Sequence, residues 1–158
     1  MRDSEKQDRI RAEINKLVRI KKKLSELNVV RSEKIVSDIG EWFFTAIYGG
    51  ERADRPTQEG WDVKLGSKKI QIKTHARGNA TSARYSVVGK FDKFDKLVII
   101  VFTNDFFLKE FYFAPANQVE RNSRKRSKRI EIDWDQLKKY KIPLGSLPKR
   151  QIVRRYMA

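Results

Sequence analysis

The sequence predicts a mixed α/β fold: a central mixed sheet flanked by helices, with one extra helix ahead of it. Three observations carry this. Apolar residues recur at steps of three and four over residues 4–27 and again over 33–48. Two short stretches of alternating polarity follow, WDVKL at 61–65 and KIQIKTH at 69–75. A near-continuous apolar run, KLVIIVF at 96–102, then has the character of a central strand buried on both faces.

The first helix takes its stripe from Ile10, Ile14, Leu17, Ile20, Leu24 and Leu27, with Ser4 as a cap at its start. Its few heptads favour packing on its own domain over a dimerising coiled coil. Ser32 is expected to cap the second helix, residues 33–48, whose stripe is Ile35, Ile39, Trp42, Phe43, Ala46 and Ile47. Gly49 and Gly50 stop that helix. The polar stretch ERADRPTQEG, with Pro56, reads as a loop.

In WDVKL, Trp61, Val63 and Leu65 face one way, Asp62 and Lys64 the other. GSK at 66–68 is turn material. In the next strand Ile70, Ile72 and Thr74 oppose Gln71, Lys73 and His75. The small, polar ARGNATSA reads as a mobile loop. After KLVIIVF comes a turn at NDFF, a strand at 109–114 and a short helix with Pro115 in its first turn. RNSRKRSKR, residues 121–129, holds six basic residues and no acid. IEIDW reads as a short strand and DWDQLKKY as a short helix, and the tail is basic again. The chain divides into an N-terminal helical extension (1–29), a core (30–120) and a basic C-terminal extension packed on that core (121–158).

Composition narrows the function classes. The 158 residues are 39% hydrophobic, enough for one folded domain. Lysine and arginine number 36 against 20 acids, a net charge of +16. Such an excess attracts polyanions, nucleic acid first among them. There is no cysteine and one histidine, so disulfides, thiolate nucleophiles and zinc sites of the usual kind are excluded. A metal here would be a hard cation on oxygen ligands. The N-terminus has no apolar signal core and no run approaches the ~20 residues of a membrane span, so a cytoplasmic protein is expected, with no membrane partner.

Asp62, Gln71, Lys73 and His75 share one side of the strand pair. A half-exposed hairpin accounts for such alternation on its own. Three features point further. The apolar strand that follows implies a sheet covered on both faces, where polar side chains need a reason. Glu41 lies among large apolar residues in DIGEWFF, beside Gly40, which permits close approach. Finally, two carboxylates, an amide oxygen and a lysine make a hard-cation site with a neighbouring cation, the chemistry of phosphodiester hydrolysis.

These residues resemble the PD-(D/E)xK nuclease superfamily over about residues 32–119. Asp62 matches the first acid, and Gln71-Ile72-Lys73 the acid-x-Lys. Glutamine replaces the acid, as in the QxK, Mrr-like restriction branch. IGEWFFTAIYGG matches the helix that carries a glutamate, here Glu41. The resemblance implies a restriction-endonuclease-like core and a Mg²⁺-dependent DNA endonuclease of restriction or homing type, with Mn²⁺ as a substitute. Glu41, Asp62, Gln71 and the carbonyl of Ile72 would hold the metal, and Lys73 would position or activate the attacking water. Glu33 is the rival for the helix glutamate, though capping explains it better; Asp38 is weaker. His75 is a candidate contact to phosphate or water. Arg77, Arg84, Arg121, Arg124, Lys125, Arg126, Lys128 and Arg129 are candidate contacts to the backbone of double-stranded DNA. Cutting both strands implies a homodimer, with the N-terminal helix as its pairing surface, in a prokaryotic, archaeal or phage setting. The alternatives are a junction or repair nuclease, a non-catalytic nucleic-acid-binding module, suggested by Gln71, and a structural RNA-binding protein.

Overall fold

The computed structural model describes residues 3–55, 59–77 and 83–158. The expected loop at Pro56 and residues 78–82 of the small polar loop lie outside the described residues, as does the side chain of Ser4. Helix α1 (Asp3–Glu26) is followed by α2 (Ile35–Tyr48), then by strands β1 (Glu51–Arg52), β2 (Val63–Leu65) and β3 (Lys68–Ala76). Next come β4 (Tyr85–Val88), β5 (Lys96–Phe102), β6 (Leu108–Pro115) and α3 (Ala116–Asn122). Strands β7 (Arg124–Arg126) and β8 (Arg129–Asp133) lead into a 3₁₀ segment, Trp134–Tyr140, and a short helix, α4 (Arg150–Val153), lies near the C-terminus.

The main sheet has the order β1-β2-β3-β5-β6. Only the β3–β5 pair is parallel; the rest are antiparallel, so the sheet is mixed, as the sequence predicts. β2 and β3 form a hairpin whose turn uses Gly66 at φ +60°, a conformation that side-chain-bearing residues resist. β5 lies between β3 and β6 and is buried from Leu97 to Phe102.

Two apolar layers clamp the sheet. On one face α2 delivers Phe43, Phe44 and Ile47, all at most 1% exposed, against Val63, Ile70, Ile72, Val98 and Ile100. A helix of 14 residues is marginal alone, and burying each such side chain contributes about 1.5–3 kcal/mol, so packing holds α2 in place. On the other face Leu97, Ile99, Val101 and Tyr112 meet Val119 of α3, Ile132 of β8, and Trp134 and Leu137 of the 3₁₀ segment. The C-terminal residues Leu147 and Val153 return to the α2 layer.

Five elements differ from expectation, the first being β1, which forms from Glu51 and Arg52 at the start of the expected loop. α2 starts at Ile35, and Ser32 is not its cap: the Ser32 hydroxyl accepts from Lys34 N (3.0 Å) and donates to Asp38 Oδ2 (3.0 Å). The basic run at 121–129, which shows no periodicity of its own, is the end of α3 plus a β-hairpin, β7 with β8. That hairpin joins β4 in a second sheet of order β4-β8-β7, where the sequence showed only a linker before β5. Helix α1 does not pack on its own domain: Ile10, Ile14, Leu17, Val18, Ile20 and Leu27 are 44–70% exposed. None of the described helices is long and apolar enough to cross a membrane.

The approach of α2 to β3 leaves no room at Gly40. A Cβ added there would lie 1.7 Å from Thr74 Oγ1. Gly40→Ala is therefore expected to push α2 off β3 and to cost about 1–3 kcal/mol, read as a lower urea midpoint. Thr74→Ala in the same chain should restore part of the loss. A Gly40→Ala protein as stable as wild type would show that the two elements do not meet as described.

Candidate active site

The site begins where β2 and β3 part. β2 pairs with β3 only at Val63–Leu65 against Lys68–Ile70. Asp62 N donates to Ile70 O (2.8 Å), and beyond that point β3 has no strand on this edge. The side chain of Asp62 fills the gap: its Oδ2 accepts from Ile72 N at 2.6 Å. Within a strand the N–H and C=O of one residue point the same way, so the Ile72 carbonyl also faces the fork.

α2 supplies the second carboxylate. Glu41 Oε2 lies 3.5 Å from Arg31 Nη2 and 3.4 Å from Arg52 Nε. Arg52 also pairs with Asp38 Oδ1 (3.6 Å) and donates to the carbonyls of Asn28 (2.9 Å) and Val29 (3.2 Å). Asp38 accepts from Arg31 N (2.7 Å) and Ser32 N (2.6 Å). It is thus a tie for the chain entering α2, which leaves Glu41 as the helix acid that lines the cavity. Glu33 is exposed and pairs with Lys21.

Glu41, Asp62, Ile72 and Lys73 line one cavity of about 350 Å³. Burial pushes Glu41 up to about 7; the charge of Asp62 pushes the same way, and together they outweigh Arg52 and Arg31. Burial also raises Asp62, against the Ile72 N–H and the charges of Lys73 and Lys34. The Lys73 ammonium is lowered, by burial first, against the pull of Asp62. Two carboxylates that repel across a buried space, with a carbonyl beside them, are a donor set suited to a hard divalent cation. Among the described residues no three His, Cys, Asp or Glu side chains converge. Water and substrate oxygens would complete such a shell, as is usual for Mg²⁺.

Gln71 lines the cavity but is engaged otherwise. Its Oε1 accepts from Gly89 N (3.0 Å) and its Nε2 donates to Gly60 O (3.2 Å). A backbone N–H on one side and a carbonyl on the other set the amide's orientation. Gln71 therefore ties the loop before Asp62 to the chain after β4, and the oxygen expected to serve as a metal ligand instead accepts from Gly89 N.

His75 also lines the cavity. Trp134 Nε1–H donates to Ser86 Oγ (2.9 Å), and the same hydroxyl lies 2.7 Å from His75 Nε2 in a hydrogen bond whose direction follows the ring tautomer. Burial lowers His75 to about 4, helped by the charges of Arg77 and Lys73, so the ring is neutral near pH 7.

The candidate phosphate contacts divide. Arg84 donates to both oxygens of Glu110 (2.9 and 3.2 Å) and to Asp135 (3.3 Å), and lies 5.3 Å over the Trp134 ring. Burial alone would raise Glu110, yet Arg84 and Lys141 hold it down to about 2. Arg84 is thus occupied inside the chain. Arg77 donates to Ala83 O and lies 5.7 Å over Trp134. Arg126 and Arg129 converge on the buried Glu131 at 3.7 and 3.0 Å. Arg121, Arg124, Lys125 and Lys128 are exposed, the last three on the β7–β8 hairpin.

Lys34 and Ser37 line the same cavity and were not anticipated. A signal existed. Lys34 and Ser37 precede Glu41 by seven and four residues, spacings that share a helix face. Nothing in the local pattern marked Arg31, Arg52 or Ser86.

No known family profile matches the chain. It is similar to the uncharacterized protein YnaC of Bacillus subtilis (strain 168), at 26% identity over 129 residues. The match covers 80% of this chain and 47% of that protein, so the chain spans about half the length of the curated relative it matches.

The raised Glu41 sets a pH dependence. Its folded value, about 7, exceeds the ~4.3 of an unfolded glutamate, so the folded state binds the extra proton between those values. Its contribution to stability is fully present below about pH 4.3 and is lost as pH rises through 7. Relative to wild type, Glu41→Gln should therefore gain stability from about pH 4.5 to 7, by at most about 1.4 kcal/mol per pH unit, and level off above. Urea midpoints across pH for the two proteins check this; parallel curves would place Glu41 in an ordinary solvated setting.

Proposed function

We propose that the protein is a metal-dependent endodeoxyribonuclease of the PD-(D/E)xK type. The observation that carries the reading is the convergence of Asp62, at the fork of β2 and β3, with Glu41 and Lys73 in one buried cavity. The net charge of +16 supports a polyanionic substrate.

In this reading Glu41, Asp62 and the Ile72 carbonyl would hold Mg²⁺ or Mn²⁺. Bound there, the cation would supply charge to a phosphoryl oxygen and acidify a water. Arg31 and Arg52 orient Glu41 from behind. Burial tilts Lys73 toward its neutral amine, and in that form it accepts a proton of the attacking water; as an ammonium it orients that water by donating to it. The water oxygen bonds to phosphorus as the bond to the departing sugar oxygen breaks. Lys34, on the α2 side of the cavity, faces the charge that spreads over the phosphoryl oxygens. His75 is a neutral hydrogen-bond donor rather than a base. The exposed Arg124, Lys125 and Lys128 hold the DNA backbone and set affinity more than sequence choice. Duplex cutting of the restriction or homing type is the first expectation; junction and repair cutting use the same chemistry.

One observation favours a second reading. With Gln71 engaged by Gly89 and Gly60, the acidic donors number two, which suits a nucleic-acid-binding module that keeps the cavity without turnover.

Cleavage of supercoiled, linear and branched DNA in Mg²⁺ or Mn²⁺ separates the two. Asp62→Asn keeps an oxygen for Ile72 N and removes the charge. It and Lys73→Ala should each lower cleavage by about 100-fold or more while binding is retained, and Lys34→Ala by about 10-fold. Wild-type protein that binds with steep salt dependence and cuts none of these DNAs would favour the binding module. Cleavage unchanged in Lys73→Ala would remove the proposed mechanism.

A further inference from the structure

Helix α1 carries five large aliphatic side chains that are 44–60% exposed, Ile10, Ile14, Leu17, Val18 and Ile20, and Leu27 follows just past its end at 70%. They present on the order of 600 Å² per protomer, close to the roughly 800 Å² per partner of a standard interface. A contiguous apolar strip of this size on a soluble helix marks an interaction site. Ile10, Ile14, Leu17 and Leu24 follow the four-three-seven spacing of a coiled-coil seam, flanked by Val18, Ile20 and Leu27.

The direction of α1 is set by its last turn. Val29 N and Val30 N donate to Leu24 O (2.9 and 3.3 Å), and Lys21 pairs with Glu33 at the entry to α2. Between Lys21 and its N-terminus the helix is exposed throughout its described side chains. It therefore stands away from the sheet as a rod of about 36 Å, at 1.5 Å per residue.

Its charges are unevenly distributed. Residues 3–14 carry four acids and three bases; residues 15–26 carry five bases and one acid. A parallel pair would set the basic halves side by side. An antiparallel pair sets each basic half against the acid-bearing half of the other copy. The acids at Glu5, Asp8 and Glu13 also oppose a lipid headgroup surface or a nucleic acid over the N-terminal half of the strip.

We propose that two copies of this protein associate through α1, packed antiparallel about a two-fold axis near Leu17. The core domains then sit at opposite ends of the helix pair, with their attachment points about 27 Å apart along it. Association rests on α1 alone and is independent of the nuclease reading.

The chain has no cysteine, so a single spin label can be placed through Lys6→Cys in the otherwise native protein. Light scattering should report a dimer. Pulsed electron resonance should give a label separation of about 30–40 Å for antiparallel packing, against less than about 20 Å for parallel packing. Leu17→Asp should yield a monomer with an unchanged thermal melt of the core, since Leu17 is 58% exposed and touches no buried layer. A short label separation would overturn the antiparallel arrangement. A wild-type monomer at about 100 µM, or a dimer indifferent to Leu17→Asp, would overturn pairing through α1. A monomer that acquires protection of α1 only on anionic vesicles or on DNA would assign the strip to that surface instead.

Discussion

The hydrogen bond from Ile72 N to Asp62 Oδ2 is the interaction on which the site depends. A strand edge left open inside a folded domain exposes backbone donors that must find partners, and leaving one buried and unmet costs about 1–3 kcal/mol. Here the hairpin opens after Ile70. A carboxylate, not a third strand, closes the first gap. That choice brings a negative charge, a backbone carbonyl and the Lys73 side chain to one place. A neutral acceptor would close the edge equally well, so the charge has no structural need behind it. The second acid follows a similar logic: Glu41 is held among Arg31 and Arg52 and still rises to about 7, because burial and Asp62 prevail. Perturbed groups gathered in a cleft are a recurrent mark of functional sites.

Arg52 connects this chemistry to the fold. It sits on the two-residue strand β1, at the sheet edge, and reaches Glu41, Asp38 and the carbonyls of Asn28 and Val29. The turn between α1 and α2, the first turns of α2 and the sheet edge are thus fastened through one guanidinium, whose planar fork suits several acceptors at once. Burial and the nearby charge of Arg31 both lower its pKa, so the carboxylates stabilise the arginines as much as the reverse.

Local pattern made much of this visible. Period-two alternation placed Asp62 and Lys73 near one another, and KLVIIVF announced a strand covered on both sides. The second sheet was hidden because its strands are three to five residues long and pair across a wide gap in sequence: Ser86 faces Ile132, and neither neighbourhood shows the other. The stretch RNSRKRSKR showed no alternation because charge masked its hairpin; Ser127 at φ +55° makes the turn. Gln71 carried an ambiguity that composition cannot resolve, since an amide serves equally as ligand and as tie, and only Gly60 and Gly89 decide. For α1 the periodicity revealed an apolar face and could not say what lies against it. Lys34 was legible by its helical spacing to Glu41 and was passed over because lysines abound in this chain.

The tie from Trp134 through Ser86 to His75 spans 48 residues between its first two members. Trp134 opens the 3₁₀ segment that follows β8, so in any vectorial synthesis the tie forms only after β8 has been made. Until residues 129–134 have left the ribosomal exit tunnel, β4 lacks β8 and the His75–Ser86 pair lacks Trp134. The Glu41–Asp62–Lys73 side of the cavity, by contrast, can assemble from the first half of the chain together with β5. One wall of the cavity is therefore a product of earlier folding and the other of later folding, and the link between them delays a complete cavity until β8 and Trp134 have emerged.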